Sequence, residues 1–255
     1  MTETATSGAA ETASGAGAAV RAVGLTRTFG TGDAAVEALR GVDVTFPRGQ
    51  FAAVMGPSGS GKSTLMHLLA GLDAPTAGTV EIDGREITRM GDAELTRLRR
   101  DRIGFVFQFF NLLPMLSAEQ NVELPLKLAG RSADDGFVEG LLASVGLADR
   151  RKHKPSELSG GQQQRVAVAR ALVNKPAVVF ADEPTGNLDS KTSAEILELM
   201  RQSTTEFGQT IVIVTHDARA AAIADRVVFL SDGCIVADRG RLSADEILDQ
   251  IKSLE

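Results

Sequence analysis

Nine residues, Gly56 to Thr64, read GPSGSGKST and put Gly56, Gly61, Lys62 and Ser63 at the fixed positions of the phosphate-binding template G-x-x-x-x-G-K-[ST]. Glycines let the backbone curl until successive N–H groups point at phosphate oxygens. A helix starting there adds the partial positive charge of its N-terminus. Ser58, Gly59, Ser60 and Thr64 complete the expected cradle. Lys62 is expected to reach the terminal phosphates of a nucleoside triphosphate, and the Ser63 hydroxyl to hold a magnesium ion. A second group closes the apolar run at Ala177, which reads AVVFADE. Asp182 suits magnesium, directly or through water, and Glu183 suits activation of the water that attacks a γ-phosphate. His216, in VTHD after the run Thr210 to Val214, is placed to hydrogen-bond that phosphate. Finally, Leu158 to Gln162 reads LSGGQ and opens a helix. Paired glycines at a helix start, with Ser159 as hydroxyl donor, make a second anion site. It has no lysine and no strand directly ahead, so it is no second complete phosphate loop. It is useful only if it closes over a γ-phosphate held elsewhere.

These residues need rigid elements to place them. Phe51 to Met55 is a short apolar run of buried-strand type, and Leu65, Met66, Leu68 and Leu69 continue as a helix, which is the strand–loop–helix context the template requires. Residues 177–180 and 210–214 are β-branched runs of the buried parallel type, with helices predicted over 194–207 and 218–224. If the strands are parallel, ligands gather at their C-terminal edge, where the phosphate loop also sits. Alternating strands and helices predict an α/β core. Residues 1 to about 19 are Ala, Gly, Ser and Thr with two glutamates, and such a segment cannot offset its ordering entropy; a disordered tail is expected. Val20 to Leu25 and Val36 to Phe46 read as strands. Gly78 to Ile82 and Ile87 flank the turn Asp83-Gly84, and Arg226 to Leu230 pairs with Cys234 to Ala237 through Asp232-Gly233.

The middle third has helical spacing. A helix carrying Arg97, Arg99 and Arg100 on its outer surface precedes the strand Ile103 to Phe107. Six large apolar side chains then crowd Phe109 to Leu116, either as the core of a helical insertion or as a partner groove. Ser117 with Gln120 predicts a capping box, as does Ser243 with Glu246 ahead of a last amphipathic helix. Phe29 has two readings, a core or loop anchor or a stacking platform for a purine. His67 is expected to pack or face solvent, and His153 to be a surface charge.

Composition bounds the partners. The 255 residues carry a formal charge of −6, which argues against nucleic acid. The single cysteine, Cys234, allows no internal disulfide and fits a reducing cytosol. No run of about 18 apolar residues would span a bilayer. No basic segment leads into a leucine-rich core at the N-terminus, so no signal peptide is expected.

LSGGQQQRVAVARAL, with the phosphate loop and AVVFADE, resembles the ATP-binding subunit of ABC transporters over roughly residues 20–238. That resemblance implies an α/β fold with a RecA-like P-loop NTPase core (20–108 and 160–240), an inserted α-helical subdomain (109–159), an N-terminal antiparallel β subdomain and a C-terminal helix (241–255). It makes Gln108 a glutamine that touches magnesium and links nucleotide to the transport partner. Asp189 in NLDS becomes the aspartate following the carboxylates, His216 the switch histidine, and Phe29 the stand-in for an adenine-stacking tyrosine. It further implies ATP and Mg²⁺ as ligands and a head-to-tail homodimer, in which Ser159, Gly160, Gly161 and Gln162 of one copy cover the other's ATP. An integral membrane permease is the implied partner, and the inner face of the cell membrane the implied location. DEPTGNLD with GFVFQFFNLLPMLSAEQNVELPL resembles the branch serving lipoprotein release, macrolide and peptide export, and antimicrobial-peptide resistance. An ATPase that regulates a membrane protein without transport would carry the same machinery. A soluble relative acting on DNA or ribosomes would need a coiled coil, zinc cysteines or a second ATPase unit, none of which the sequence offers.

Overall fold

The computed structural model describes residues 17–132 and 136–254. In chain order the elements are β1 (Ala18–Phe29), β2 (Val36–Pro47), β3 (Phe51–Met55), α1 (Lys62–Leu69), β4 (Ala77–Ile82), β5 (Arg85–Glu86), α2 (Asp92–Arg102) and β6 (Ile103–Phe107). There follow α3 (Ala118–Leu128), α4 (Phe137–Ser144), α5 (Gly160–Leu172), β7 (Val178–Asp182), α6 (Ser190–Phe207), β8 (Ile211–Val214), α7 (Ala218–Ala221), β9 (Arg226–Ser231), β10 (Cys234–Gly240) and α8 (Ala244–Lys252).

Six strands form the central sheet in the order β10-β9-β3-β8-β7-β6. All are parallel except β10, which folds back on β9 through the expected hairpin. Successive side chains of a strand face opposite ways. Here both directions are covered. Phe51, Ala53, Met55, Val179, Ala181, Ile211 and Ile213 enter one apolar cluster with α3 to α8. Ala52, Val54, Val178, Phe180, Val212 and Val214 enter the other, with α1, α2 and the antiparallel sheet β2-β1-β4-β5. Two covered faces explain why these strands read as continuous apolar runs rather than alternating ones.

Both capping boxes form. Ser117 Oγ accepts from the Gln120 amide, and Ser243 Oγ from the Glu246 amide. Three expectations change. Ala18 and Ala19 belong to β1, with Ala19 fully buried, so the predicted tail loses its last residues; its residues 1–16 lie outside the described residues. Helix α7 ends at Ala221, short of the predicted 224. Arg99 is half-buried and donates to the Gly71 carbonyl, tying α2 to the end of α1, while Arg100 pairs with Asp101. Tertiary partners absorb a face that sequence alone leaves to water.

Candidate active site

Adjacent strands β3, β8, β7 and β6 end on one edge, and each hands over one predicted group: the phosphate loop, His216, the Asp182–Glu183 pair and Gln108. An open cleft of about 390 Å³ there is lined by Ser58, Gly59, Gly61, Lys62, Ser63, Thr64, Asp182, Glu183 and His216, with Ala38 and Val214. Helix α1 starts from Gly61 in left-handed conformation (φ 101°), and no side chain caps it. Its first amides lack intrahelical partners, so the helix presents an uncapped, electropositive end to the cleft. Gly56 is required for space as well as conformation: a Cβ there would sit 1.9 Å from the Leu230 carbonyl oxygen. Ser60 does not line the cleft. It is buried, its carbonyl accepts from Gly233, and it holds the loop onto the β9–β10 turn.

Lys62 Nζ donates to the carbonyls of Gly56 (2.9 Å) and Pro57 (2.7 Å), so its ammonium lies across the loop mouth. Burial pushes its pKa below the ordinary lysine value, while Glu183 and Asp182 pull it back up. Asp182 moves the other way: burial, and then the neighbouring Glu183 carboxylate, hold its pKa above the usual carboxylate range, against smaller pulls from His67 and Lys62. His67 is therefore part of the electrostatic site. It sits one helical turn from Ser63, and that i,i+4 spacing was a signal available in the sequence.

Glu183 has φ 45°, a left-handed backbone that costs a non-glycine residue about 1–2 kcal/mol. Its amide donates to the Val214 carbonyl (2.9 Å), which holds the strained conformation. The carboxylate meets His216 Nδ1 at 2.7 Å. A carboxylate only accepts, so Nδ1 carries the hydrogen and Nε2 is left for the cleft. The Thr215 hydroxyl donates weakly to the second oxygen of Glu183 at 3.4 Å. Backbone strain held by surrounding bonds is the kind of outlier that marks a working carboxylate.

Other predicted residues are placed elsewhere. Gln108 lines a second groove beside Glu183 and His216, and its Nε2 donates to Asn187 Oδ1 (3.2 Å). Asp189 caps α6, accepting from the Lys191 and Thr192 amides and the Thr192 hydroxyl; these bonds hold its carboxyl below the ordinary range. Ser159 caps α5 in a reciprocal box with Gln162. Gly160 lies against Leu188 and Phe110, and Gly161 against Thr192, where a Cβ would come within 2.3 Å of the Thr192 methyl. None of Ser159, Gly160, Gly161 or Gln162 lines the phosphate-loop cleft. Phe29 is 43% exposed at the end of β1, paired with Val36 and covered on one face by the Arg27 guanidinium at 4.6 Å. It is therefore not part of the core, and both the loop-anchor and the stacking readings are compatible with that exposure. His153 Nε2 is 3.0 Å from Arg150, as a surface residue would be.

Magnesium fits this donor set. Ser63 and Asp182 share the cleft, and two adjacent carboxylates in a partly buried setting call for a cation. Among the described residues no three acidic, histidine or cysteine side chains cluster as a metal cage. Because the folded pKa of Asp182 lies above its unfolded value, nucleotide-free stability from this group falls as pH rises through that interval. Asp182→Asn is therefore expected to raise the unfolding midpoint of the nucleotide-free chain at pH 7 by on the order of 2–4 °C. Differential scanning calorimetry with and without magnesium and ATP measures this, and the variant should lose the extra stabilisation that magnesium gives.

A family profile described as "ABC transporter" matches residues 39–186. An uncharacterised ABC transporter ATP-binding protein of Thermotoga maritima is 51% identical over 215 residues, covering 84% of this chain and 92% of its own. The lipoprotein-releasing system ATP-binding protein LolD of Geobacter metallireducens is 49% identical, covering 84% of this chain and 96% of its own. The macrolide export ATP-binding/permease protein MacB of Rhodopseudomonas palustris is 51% identical over 85% of this chain, which spans only 33% of that relative's length. Among solved structures, a dimeric ATP-binding cassette in a post-hydrolysis state with ADP and Pi superposes with TM-score 0.78 at 43% identity, over 88% of this chain and 99% of the other.

Proposed function

This chain belongs to the ABC transporter family, and from that premise we propose that two copies close head to tail over two ATP molecules and drive a membrane permease. One observation carries the reading. Of the two glycine-rich helix starts read as anion sites, the second, at Ser159 to Gly161, does not line the cleft that contains the first. A second copy related by a two-fold axis brings it there. Each site would then take Lys62, Ser63 and the carboxylates from one copy and the signature residues from the other. Light scattering during size-exclusion chromatography tests this: ATP should convert monomer to dimer when hydrolysis is slowed, and a persistent monomer would refute the arrangement.

Within each site the chain's own groups divide the work. The uncapped end of α1 and Lys62 bind and orient the triphosphate, and Phe29 stacks on the base. Ser63, Asp182 and Gln108 would hold magnesium, which when bound neutralises charge on the β- and γ-phosphates. Glu183 takes a proton from water as its oxygen bonds to the γ-phosphorus and the bond to the ADP oxygen breaks. His216 fixes the Glu183 carboxylate in place through Nδ1. Loss of the γ-phosphate contacts then opens the pair.

The partner reading of the apolar segment is supported by its exposure: Phe109 is 74% and Met115 79% exposed, and Leu113 is also exposed. Asn111, in the same segment, lines a groove with Phe105, Phe107, Leu124 and Leu128. We assign this face to the permease, on the cytoplasmic side of a cell membrane, with segment 109–159 acting as the helical subdomain that transmits motion to the core. Among the described residues no helix is long and apolar enough to cross a membrane. Export, or the handling of lipoproteins or peptides, is the system proposed, in keeping with the relatives' names. Phe109→Asp should leave ATP affinity within about twofold and the fold intact, while reducing co-purification with the permease at least on the order of tenfold. Loss of the folded state instead would make the segment a core element.

A further inference from the structure

Gln164 lies on α5, about one turn beyond the Ser159 cap, and is fully buried. Its Nε2 donates to the Pro184 carbonyl at 2.5 Å and, at longer range, to the Phe107 carbonyl at 3.4 Å. Both partners only accept, so the amide orientation is fixed, and Oε1 is left buried with no partner. A buried amide with one orphan oxygen is costly, and methionine would fill the same space without it. Packing alone does not account for a glutamine here.

Its two acceptors do. Pro184 follows Glu183 and Phe107 precedes Gln108, so one side chain holds the backbone next to both. Further along α5, Arg170 donates to the carbonyls of Phe110 (2.8 Å) and Asn111 (2.5 Å), two residues in left-handed conformation on the far side of Gln108. Thus a single helix grips the Gln108 segment from both sides, while its first turn carries Ser159 to Gly161. Those residues serve the other copy's ATP, whereas Gln108 and Glu183 serve this copy's own.

We propose that Gln164 is a positioning residue that couples the two ATP sites of the dimer. When the start of α5 engages the γ-phosphate bound by the other copy, Gln164 carries the displacement to Phe107 and Pro184, and so sets Gln108 and Glu183 for hydrolysis at its own site. This rests on the two-copy reading above. It adds to that reading a named link between one ATP and the other.

The test uses the full-length chain with Gln164→Met, which keeps the volume and removes the donor, and Gln164→His, which keeps a ring N–H. Steady-state hydrolysis is measured against ATP concentration, alongside the thermal midpoint. Gln164→Met should fold with a midpoint at or near that of the wild type. Its kcat should drop by on the order of 10- to 100-fold with half-saturating ATP little changed, as expected for misplacement rather than lost binding. The Hill coefficient should fall toward 1, and Gln164→His should recover part of the rate. Unchanged kcat and Hill coefficient, or a rate loss that matches the loss of folded protein, would overturn the proposal. Should neither variant fold, hydrogen exchange on the wild type decides: amides 107–111 and 185–187 must gain protection in step with amides 159–162 as ATP is raised, and independent protection overturns the link. A wild-type chain with no ATPase activity would sink the functional reading itself, whereas an active wild type with an indifferent Gln164→Met sinks only the coupling.

Discussion

Glu183→Gln is expected to bind ATP as the wild type does and to hydrolyse it about 10²–10⁴-fold more slowly, a rise of roughly 3–5 kcal/mol in the barrier. The substitution preserves shape, so the strained backbone and its bond to Val214 survive. What disappears is the proton acceptor. A glutamine oxygen can still accept from His216 Nδ1, yet it cannot take the proton that an attacking water must shed. The change also removes one of two neighbouring negative charges in the cleft; burial still raises the Asp182 pKa, but the smaller contribution from Glu183 repulsion is relieved. Binding and closure should therefore be favoured while chemistry stalls, and the variant should accumulate as an ATP-bound dimer. Single-turnover kinetics with labelled ATP gives the rate directly. Turnover within a few-fold of wild type would remove Glu183 from the role of base.

Lys62→Ala should act at the other end of the sequence of events. Its ammonium lies against the Gly56 and Pro57 carbonyls and within the field of Asp182 and Glu183. Without it, the triphosphate would meet two carboxylates with no protein cation among the residues that line the cleft. Charge-assisted hydrogen bonds of this kind contribute about 1.5–3 kcal/mol each, so ATP affinity should fall by on the order of 10²–10³-fold, with hydrolysis following it down. The fold should persist, because the loop is independently fixed through Ser60 and Gly233. Isothermal titration with ATP and magnesium measures the loss, and circular dichroism checks the fold. Retained affinity would mean that the loop amides and magnesium carry the phosphates alone.

Sequence made the site's parts legible because each part is a local pattern. A glycine-rich loop between a strand and a helix, two carboxylates at a strand end and a capped helix start all advertise themselves within a dozen residues. The parallel sheet was also readable, since strands covered on both faces lose polar alternation, as Val178 to Ala181 and Ile211 to Val214 do. What sequence did not reveal are contacts between segments far apart in the chain. Gln164 reaches residues 57 and 20 positions away, and Arg170 reaches 59 and 60. Arg99 looked solvent-facing because its partner, the Gly71 carbonyl, lies on another helix's end. The left-handed backbone of Glu183 is likewise invisible in a stretch of ordinary strand composition. Phe29 and the Phe109–Leu116 cluster carried two readings each; Phe29, Phe109, Leu113 and Met115 are exposed, whereas Leu112 packs against the core.

The two-copy site is the claim on which the mechanism turns, and a structure of the ATP-trapped Glu183→Gln dimer tests it most directly. Lys62 Nζ of one copy and the Ser159 hydroxyl of the other should both lie about 3 Å from oxygens of the same γ-phosphate. A dimer in which the signature residues of each copy face anything other than the opposing nucleotide would contradict it.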